Sequence, residues 1–324
     1  VKKKIPDIKN TPPTVKTRLD VFLAEKNGIS RSQAQKMIEA DLVLINGELP
    51  KKAGEQISAK DKVVVLKKAK INKTEAKKEI VKEEKKPIGK FKIIAETPDY
   101  LVVEKPTGML THSTMKGETD SLANLLVKKY PELKKVGDDP IRPGIVHRLD
   151  KEASGLLVVA RTQKMFNHLK EQFKNRTIDK EYMVLVHEQV QRDWEQINFP
   201  IVRSKSADRM SALPATTKGL ENTTGKQALT EFWVEKKFIN FTLLKVKIHT
   251  GRMHQIRVHM LAYDHPVVGD PMYYQRRQKR MWDDRLGRLF LHCTKLSFKD
   301  LSGETQTFES PLPKQLSDFL KLLK

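Results

Sequence analysis

The sequence predicts an α+β protein, a mixed, largely antiparallel sheet with helices, preceded by a smaller α+β unit. Three observations lead there. From Phe91 on, strand-length and helix-length apolar segments follow one another without the regular strand–helix alternation of a parallel doubly wound fold. Phe241–Ile248 alternates apolar and polar residues, as a half-buried strand does. Residues 67–90 carry ten Lys against four Glu and few large apolar side chains, so they cannot bury a core and divide the chain.

The elements follow in order. Residues 1–15 form a Lys- and Pro-rich basic tail. In the small unit, 16–66, Leu19, Phe22 and Leu23 recur at helical spacing with Thr17 as N-cap. Ser30-Arg31-Ser32-Gln33 opens a second helix with Ala34, Met37 and Ile38 on one face. Leu42–Ile45 reads as a strand entering an Asn46-Gly47 turn, and Lys62–Leu66 as another strand. Residues 67–90 read as a solvated charged linker. In the larger unit, 91–324, Phe91–Ala95 and Tyr100–Glu104 form a strand pair around Pro98-Asp99, and Leu156–Ala160 is a buried strand. Leu122–Val127 and Phe166–Phe173 are helical, while Tyr182–Val186 and Phe241–Ile248 are strands. Arg288–Cys293 is a further apolar strand. Gln275–Arg288 is rich in Lys and Arg and includes Trp282, and reads either as an RNA-facing loop with an aromatic anchor or as a surface insertion.

Composition narrows the function classes. Sixty-two Lys and Arg against forty Asp and Glu give a formal net charge of +22 over 324 residues, which favours a polyanionic partner over a bare soluble surface. No apolar run approaches the ~20 residues of a membrane span, so nucleic acid is a better partner than a bilayer. The single cysteine, Cys293, excludes an intrachain disulfide and a Cys-based zinc site. The N-terminal residues lack the apolar core of a secretory signal, and a cytoplasmic protein is expected.

One acid stands in an unusual place. Asp150 lies in His147-Arg148-Leu149-Asp150-Lys151-Glu152-Ala153-Ser154-Gly155, a turn-rich lead into the buried strand. Alone, such an Asp is more often structural than reactive. Three segments add matching chemistry: Lys180-Glu181-Tyr182 at a strand start, which puts an aromatic hydroxyl near a sheet edge; Gly251-Arg252-Met253-His254-Gln255-Ile256-Arg257-Val258-His259; and Arg288–Cys293. His254 and His259 are five apart with no acidic ligand between them, which argues against a helical metal pair, so no metal is expected. In the small unit, Arg18, Arg31 and Lys36 can form a positive surface beside helix N-termini.

Gly144-Ile145-Val146-His147-Arg148-Leu149-Asp150, the Gly251–His259 segment and Leu291-His292 resemble the RluA-type pseudouridine synthases. So do Lys105-Pro106-Thr107-Gly108, the stretch from Gly225-Lys226 to Thr230, and His265-Pro266-Val267-Val268-Gly269-Asp270. The likeness covers 91–324. Arg142-Pro143-Gly144-Ile145 and the fused N-terminal unit look most like RluD-type members, which modify large-subunit ribosomal RNA. Residues 16–66 resemble the small RNA-binding domain typified by ribosomal protein S-four.

The resemblance implies roles residue by residue. Asp150 matches the catalytic aspartate that acts on the target uridine, whose base must detach, rotate and rejoin through carbon five; ring attack, anomeric attack and a glycal route stay open. Arg257 matches the arginine that pairs with it and keeps a buried carboxylate charged. Tyr182 matches the tyrosine that stacks on uracil and is a candidate base, although an unperturbed phenol is protonated at neutral pH and needs help from the site. Leu291 or a neighbour supplies an apolar wall. Arg148, Arg252 and His254 are RNA-contact candidates, with Arg148 pointing to the same side as Asp150 if the segment is strand-like. Ala153, Met253 and Cys293 depart from the family's usual Thr, Thr and Ala. The expectation is an RNA pseudouridine synthase acting on large-subunit ribosomal RNA without cofactor, metal or membrane, and monomeric. A non-catalytic RNA-binding ribosome-assembly factor and a base-releasing glycosidase are the alternatives.

Overall fold

The computed structural model describes residues 17–39, 42–50, 52–58, 61–65, 90–113, 119–204, 209–214, 225–275 and 280–324. The expected basic tail and nearly all of the expected linker lie outside the described residues, as does the side chain of Lys36. The chain divides into two compact units between Glu84 and Lys85.

The first unit holds β1 (Thr17–Arg18), α1 (Leu19–Asn27), α2 (Arg31–Glu39), β2 (Val43–Ile45), β3 (Gln56–Ile57) and β4 (Val63–Val65). Its core is Leu19, Leu23, Ala34, Ile38, Val43 and Ile57. Ser30 and Gln33 form a capping box before α2: Ser30 Oγ accepts from Gln33 N–H at 3.2 Å, and Gln33 Oε1 accepts from Ser30 N–H at 2.9 Å. The N-cap expectation for Thr17 is corrected, because Thr17 pairs in β1 with Ile57 and the residue before α1 is Arg18, without a side-chain cap. Asn46 and Gly47 take left-handed backbone (φ 54° and 92°), as the turn after β2 requires.

The second unit is built on a nine-stranded sheet. Its strands are β5 (Lys92–Glu96), β6 (Tyr100–Lys105), β7 (Ser154–Ala160), β8 (Asp179–His187), β9 (Trp194–Ile197), β12 (Thr230–Lys237), β13 (Phe241–Ile248), β14 (Leu291–Lys299) and β15 (Thr305–Glu309). The order is β5-β6-β7-β14-β8-β13-β12-β9, with β15 also on β14. Strands β10 (Ile201–Arg203) and β11 (Met210–Ala212) form a separate hairpin. The helices are α3 (Leu122–Lys129), α4 (Gln163–Lys174), α5 (Gln255–Ala262), α6 (Met281–Leu286) and α7 (Lys314–Lys321). Every pairing in the large sheet is antiparallel except β7 with β14. The fold is therefore α+β with a mixed, mostly antiparallel sheet.

All seven residues of β7 are buried, which is why that run is continuously apolar rather than alternating. Where β7 meets β14, Gly155 (φ 118°) faces the backbone of Cys293; a Cβ there would lie 2.3 Å from the Cys293 carbonyl oxygen. Only glycine fits so close an approach. Tyr182 does not stand at a sheet edge, since β8 is flanked by β14 and β13. Trp282 does not serve as an outward anchor. It lies in α6 and packs edge-on against Phe241 and Phe319, with centroids at 6.0 and 5.9 Å.

Candidate active site

The loop carrying Asp150 is held from below by the segment after β6. Lys105 is fully buried, and its ammonium donates to the carbonyls of Pro106 (2.9 Å), Met109 (2.8 Å), Lys151 (3.3 Å) and Ala153 (2.7 Å). Burial pushes its pKa down to about 7, against the pull of nearby Asp150 and Glu152. Thr111 Oγ1 donates to the Leu149 carbonyl at 2.8 Å, and Thr107 Oγ1 to the Glu152 carbonyl at 2.6 Å. Residues 149–153 are thus tied at four carbonyls on either side of Asp150, a rigid mount for one reactive side chain.

Asp150 opens into a cleft of about 970 Å³ whose walls include Arg148, Tyr182, Arg252, His254, Arg257 and Leu291. Arg257, from α5, donates through Nη1 to Asp150 Oδ2 at 3.1 Å and reaches Glu152 Oε2 at 3.5 Å. Its other edge is a two-pronged pair with Asp270: Nε to Oδ2 at 2.7 Å and Nη2 to Oδ1 at 2.8 Å. Both Arg257 and Asp270 are buried. Burial opposes the charge on Arg257, but the hydrogen bonds and charges of Asp270, Asp150 and Glu152 outweigh it and raise its pKa. Asp270 Oδ1 also accepts from the N–H groups of Met272 and Tyr273, so its position is fixed by backbone. The Tyr273 ring covers Arg257, with Cζ at 5.0 Å from the centroid.

His254 precedes α5 in left-handed backbone (φ 55°). Its Nδ1 lies 2.8 Å from Tyr273 Oη, and that oxygen accepts from Met210 N–H at 2.9 Å. With the phenol as donor to Nδ1, the imidazole proton is on Nε2, which lies 3.9 Å from Asp150 Oδ1. Burial lowers the His254 pKa, with Asp150 opposing. Tyr182 is buried on the same cleft. Burial, with the neighbouring Cys293 and Asp150, pushes its phenol well above 10, so the surroundings supply none of the help that a phenolate base needs.

The cleft therefore brings together Asp150, Tyr182, Arg257, Arg148, Arg252, His254 and Leu291, from segments far apart in sequence. Arg148 is exposed, in irregular backbone rather than strand. Arg252 Nε donates to the Gln227 carbonyl at 3.0 Å. His259, by contrast, is a satisfied core residue: it bonds Thr230 Oγ1 and the Phe199 carbonyl, both at 2.9 Å. Arg18 and Arg31 belong to the first unit. Both reach buried Asp20 at 3.0 Å, together with Gln35, and the Arg18 bonds above all hold the Asp20 carboxyl well below its usual range. Sequence reasoning missed Asp270, Tyr273 and Thr111. A faint signal existed, since Asp270 closes a motif already noted, but nothing in sequence pairs it with Arg257. Among the described residues, no cluster of three or more His, Cys, Asp or Glu side chains could hold a metal ion, and no helix is long and apolar enough to cross a membrane.

Comparison with known proteins adds a second line. A family model described as RNA pseudouridylate synthase matches residues 99–262, and one described as S4 domain matches 17–63. A protein of Aquifex aeolicus called "Uncharacterized RNA pseudouridine synthase" is 39% identical over 79% of this chain and 76% of its own length. A Neisseria meningitidis protein named "Ribosomal large subunit pseudouridine synthase D" is 32% identical over 95% of this chain and 79% of its own. Among solved structures, "Human RNA Pseudouridylate Synthase Domain Containing 1" superposes with a TM-score of 0.57 at 27% identity, covering 72% of this chain and 88% of that one.

Proposed function

The chain belongs to the RNA pseudouridylate synthase family, and on that premise we propose that it isomerises uridines of large-subunit ribosomal RNA with Asp150 as the catalytic carboxylate. The observation that carries this reading is the convergence of Asp150, Arg257 and Tyr182 in one basic cleft. The isomerisation breaks the bond from N1 to the ribose, turns the base, forms a bond from C5, and exchanges the C5 proton for one on N1. It is redox-neutral, so carboxylate, stacking and proton-handling groups suffice and no cofactor is invoked. Asp150 Oδ2 is occupied by Arg257, which leaves Oδ1 for the nucleotide. Tyr182 forms the stacking wall for the extruded base and Leu291 an apolar side. With its phenol raised, Tyr182 acts first as a platform. Arg148, Arg252 and His254 face the incoming RNA, and the S4-type unit with Arg18, Arg31 and Lys36 adds phosphate contacts. Ribosomal RNA as the target implies a cytoplasmic site of action.

The large-subunit assignment draws on the name of the Neisseria relative and on the fused N-terminal unit. The test incubates unmodified ribosomal RNA with the wild-type chain and with Asp150→Ala, then maps pseudouridine by carbodiimide-dependent primer stops. New stops in large-subunit RNA with the wild type alone are expected. Stops confined to other RNAs would refute the target, equal stops with Asp150→Ala would refute the carboxylate's role, and free uracil in the products would mark a glycosidase.

A further inference from the structure

Four of the eight Lys and Arg side chains lining the cleft have an acidic partner among the described residues, Lys174 through Glu171 among them, and of the other four only Lys180 is buried. Arg257 is held by Asp270 and Asp150, Lys247 Nζ lies 2.7 Å from Asp179, and Arg142 Nε lies 2.9 Å from Asp139. Lys180 has none. It is only 8% exposed, yet among the described residues its ammonium meets neither carboxylate nor carbonyl oxygen. It lies over the face of Phe173, 5.2 Å from the ring centroid, within electrostatic reach of Cys293 and His147. Burial lowers its pKa, as expected for a cation without a counter-charge. A lysine kept only for packing would be better replaced by an apolar side chain of the same length.

A second donor stands on the same ring. His147 packs on Phe173 with centroids 4.7 Å apart. Its Nε2 accepts from Val158 N–H at 3.0 Å, so the ring proton is on Nδ1, and that buried atom has no partner. Both residues line the cleft. A buried donor without an acceptor, beside a lysine without a counter-charge, suits an acceptor that arrives with the ligand.

We propose that Lys180, with the Nδ1–H of His147 packed on the same phenylalanine ring, receives a backbone phosphate of the bound RNA beside the target nucleotide. Lys180 and Tyr182 alternate on one face of β8, so they stand about 6–7 Å apart along the strand. That is the scale separating a base from the phosphate of its own nucleotide. Phosphates are the full negative charges of RNA, whereas the uracil ring is neutral, and a full positive charge is what stands unpaired. The assignment rests on the RNA-modifying reading above.

The test uses the full chain, a short single-stranded RNA containing uridine, and fluorescence anisotropy across a salt series. Lys180→Met should raise the urea midpoint, because a buried unpaired charge is removed, and should weaken RNA binding by about tenfold to a hundredfold. The slope of log affinity against log salt should become shallower by about 0.7, one single-strand phosphate. Lys180→Arg should keep the wild-type slope. A less stable or unfolded Lys180→Met chain, or unchanged affinity, overturns the proposal. Lost affinity with an unchanged slope also overturns it and transfers the contact to a base oxygen. A wild-type chain that binds with this slope pattern but forms no pseudouridine would leave the phosphate contact standing and sink the proposed function instead.

Discussion

Replacing Asp270 by Asn tests how Arg257 is placed. The carboxylate serves four donors: Arg257 Nε on Oδ2, and Arg257 Nη2, Met272 N–H and Tyr273 N–H on Oδ1. Asn has the same shape but only one acceptor oxygen. Keeping that oxygen on the backbone N–H groups turns its amide against Arg257 Nε, donor facing donor. Breaking a buried ion pair costs about 3–5 kcal/mol. Asn retains the Oδ1 contacts, so about half of that, ~2 kcal/mol, is expected from the lost Nε bond. The guanidinium is then free to shift toward Asp150 and Glu152, which lie on its Nη1. A displacement of about 1 Å at a reacting group costs ~100-fold in rate. Urea denaturation followed by tryptophan fluorescence measures the first quantity, and single-turnover pseudouridine formation the second. Asp270→Asn with wild-type stability and wild-type rate would refute the argument that Asp270 fixes Arg257.

Three further outcomes follow from the same geometry. Tyr182→Phe keeps the stacking ring and should preserve RNA affinity while slowing the reaction; a loss of affinity would contradict the platform role, and absorbance titration of the wild type should leave this phenol un-ionised past pH 10. Lys105→Met removes the donor shared by four carbonyls and should cost about 1–3 kcal/mol of stability, with a slower reaction because the Asp150 loop loosens; an equally active, equally stable variant would argue against it. Burial lowers His259 and His292 from 6.5 to about 4, so the folded state binds fewer protons than the unfolded chain between those values. Their stabilising contribution is full above pH 6.5 and is lost as pH falls toward 4, by up to about 1.4 kcal/mol per pH unit for each; a urea midpoint that is flat from pH 7 to 5 would be the contrary result.

Legibility from sequence varied with where the partners lie. Phe241–Ile248 was readable to the residue because its alternation is local. Strand β8 begins three residues before the expected Tyr182, since Asp179–Glu181 pair with β14 and β13 without an apolar pattern of their own. Helix α5 gave no periodic signal, because Gln255, Arg257 and His259 are buried along with Ile256, Val258 and Met260. Trp282 was misjudged for a related reason: its basic neighbours suggest a surface, while Phe241 and Phe319, about forty residues away on either side, take it inward. In the site, Asp150, Tyr182 and Arg257 were found through motif order. Asp270 was not, because its role exists only once α5 and the turn after it are packed.

Gly155 has a consequence for tolerance to change. Strand slips are ordinarily resisted by the burial pattern, but β7 is apolar on both faces, and a shift by two residues would cost its pattern little. The close crossing at Cys293 accepts no side chain, so this glycine indexes the strand like a notch on a ruler. A slide by two residues would drive Ala153 or Leu157 into the neighbouring backbone. The depth of Asp150, five residues upstream, is thereby gauged by a residue that contributes no functional group at all.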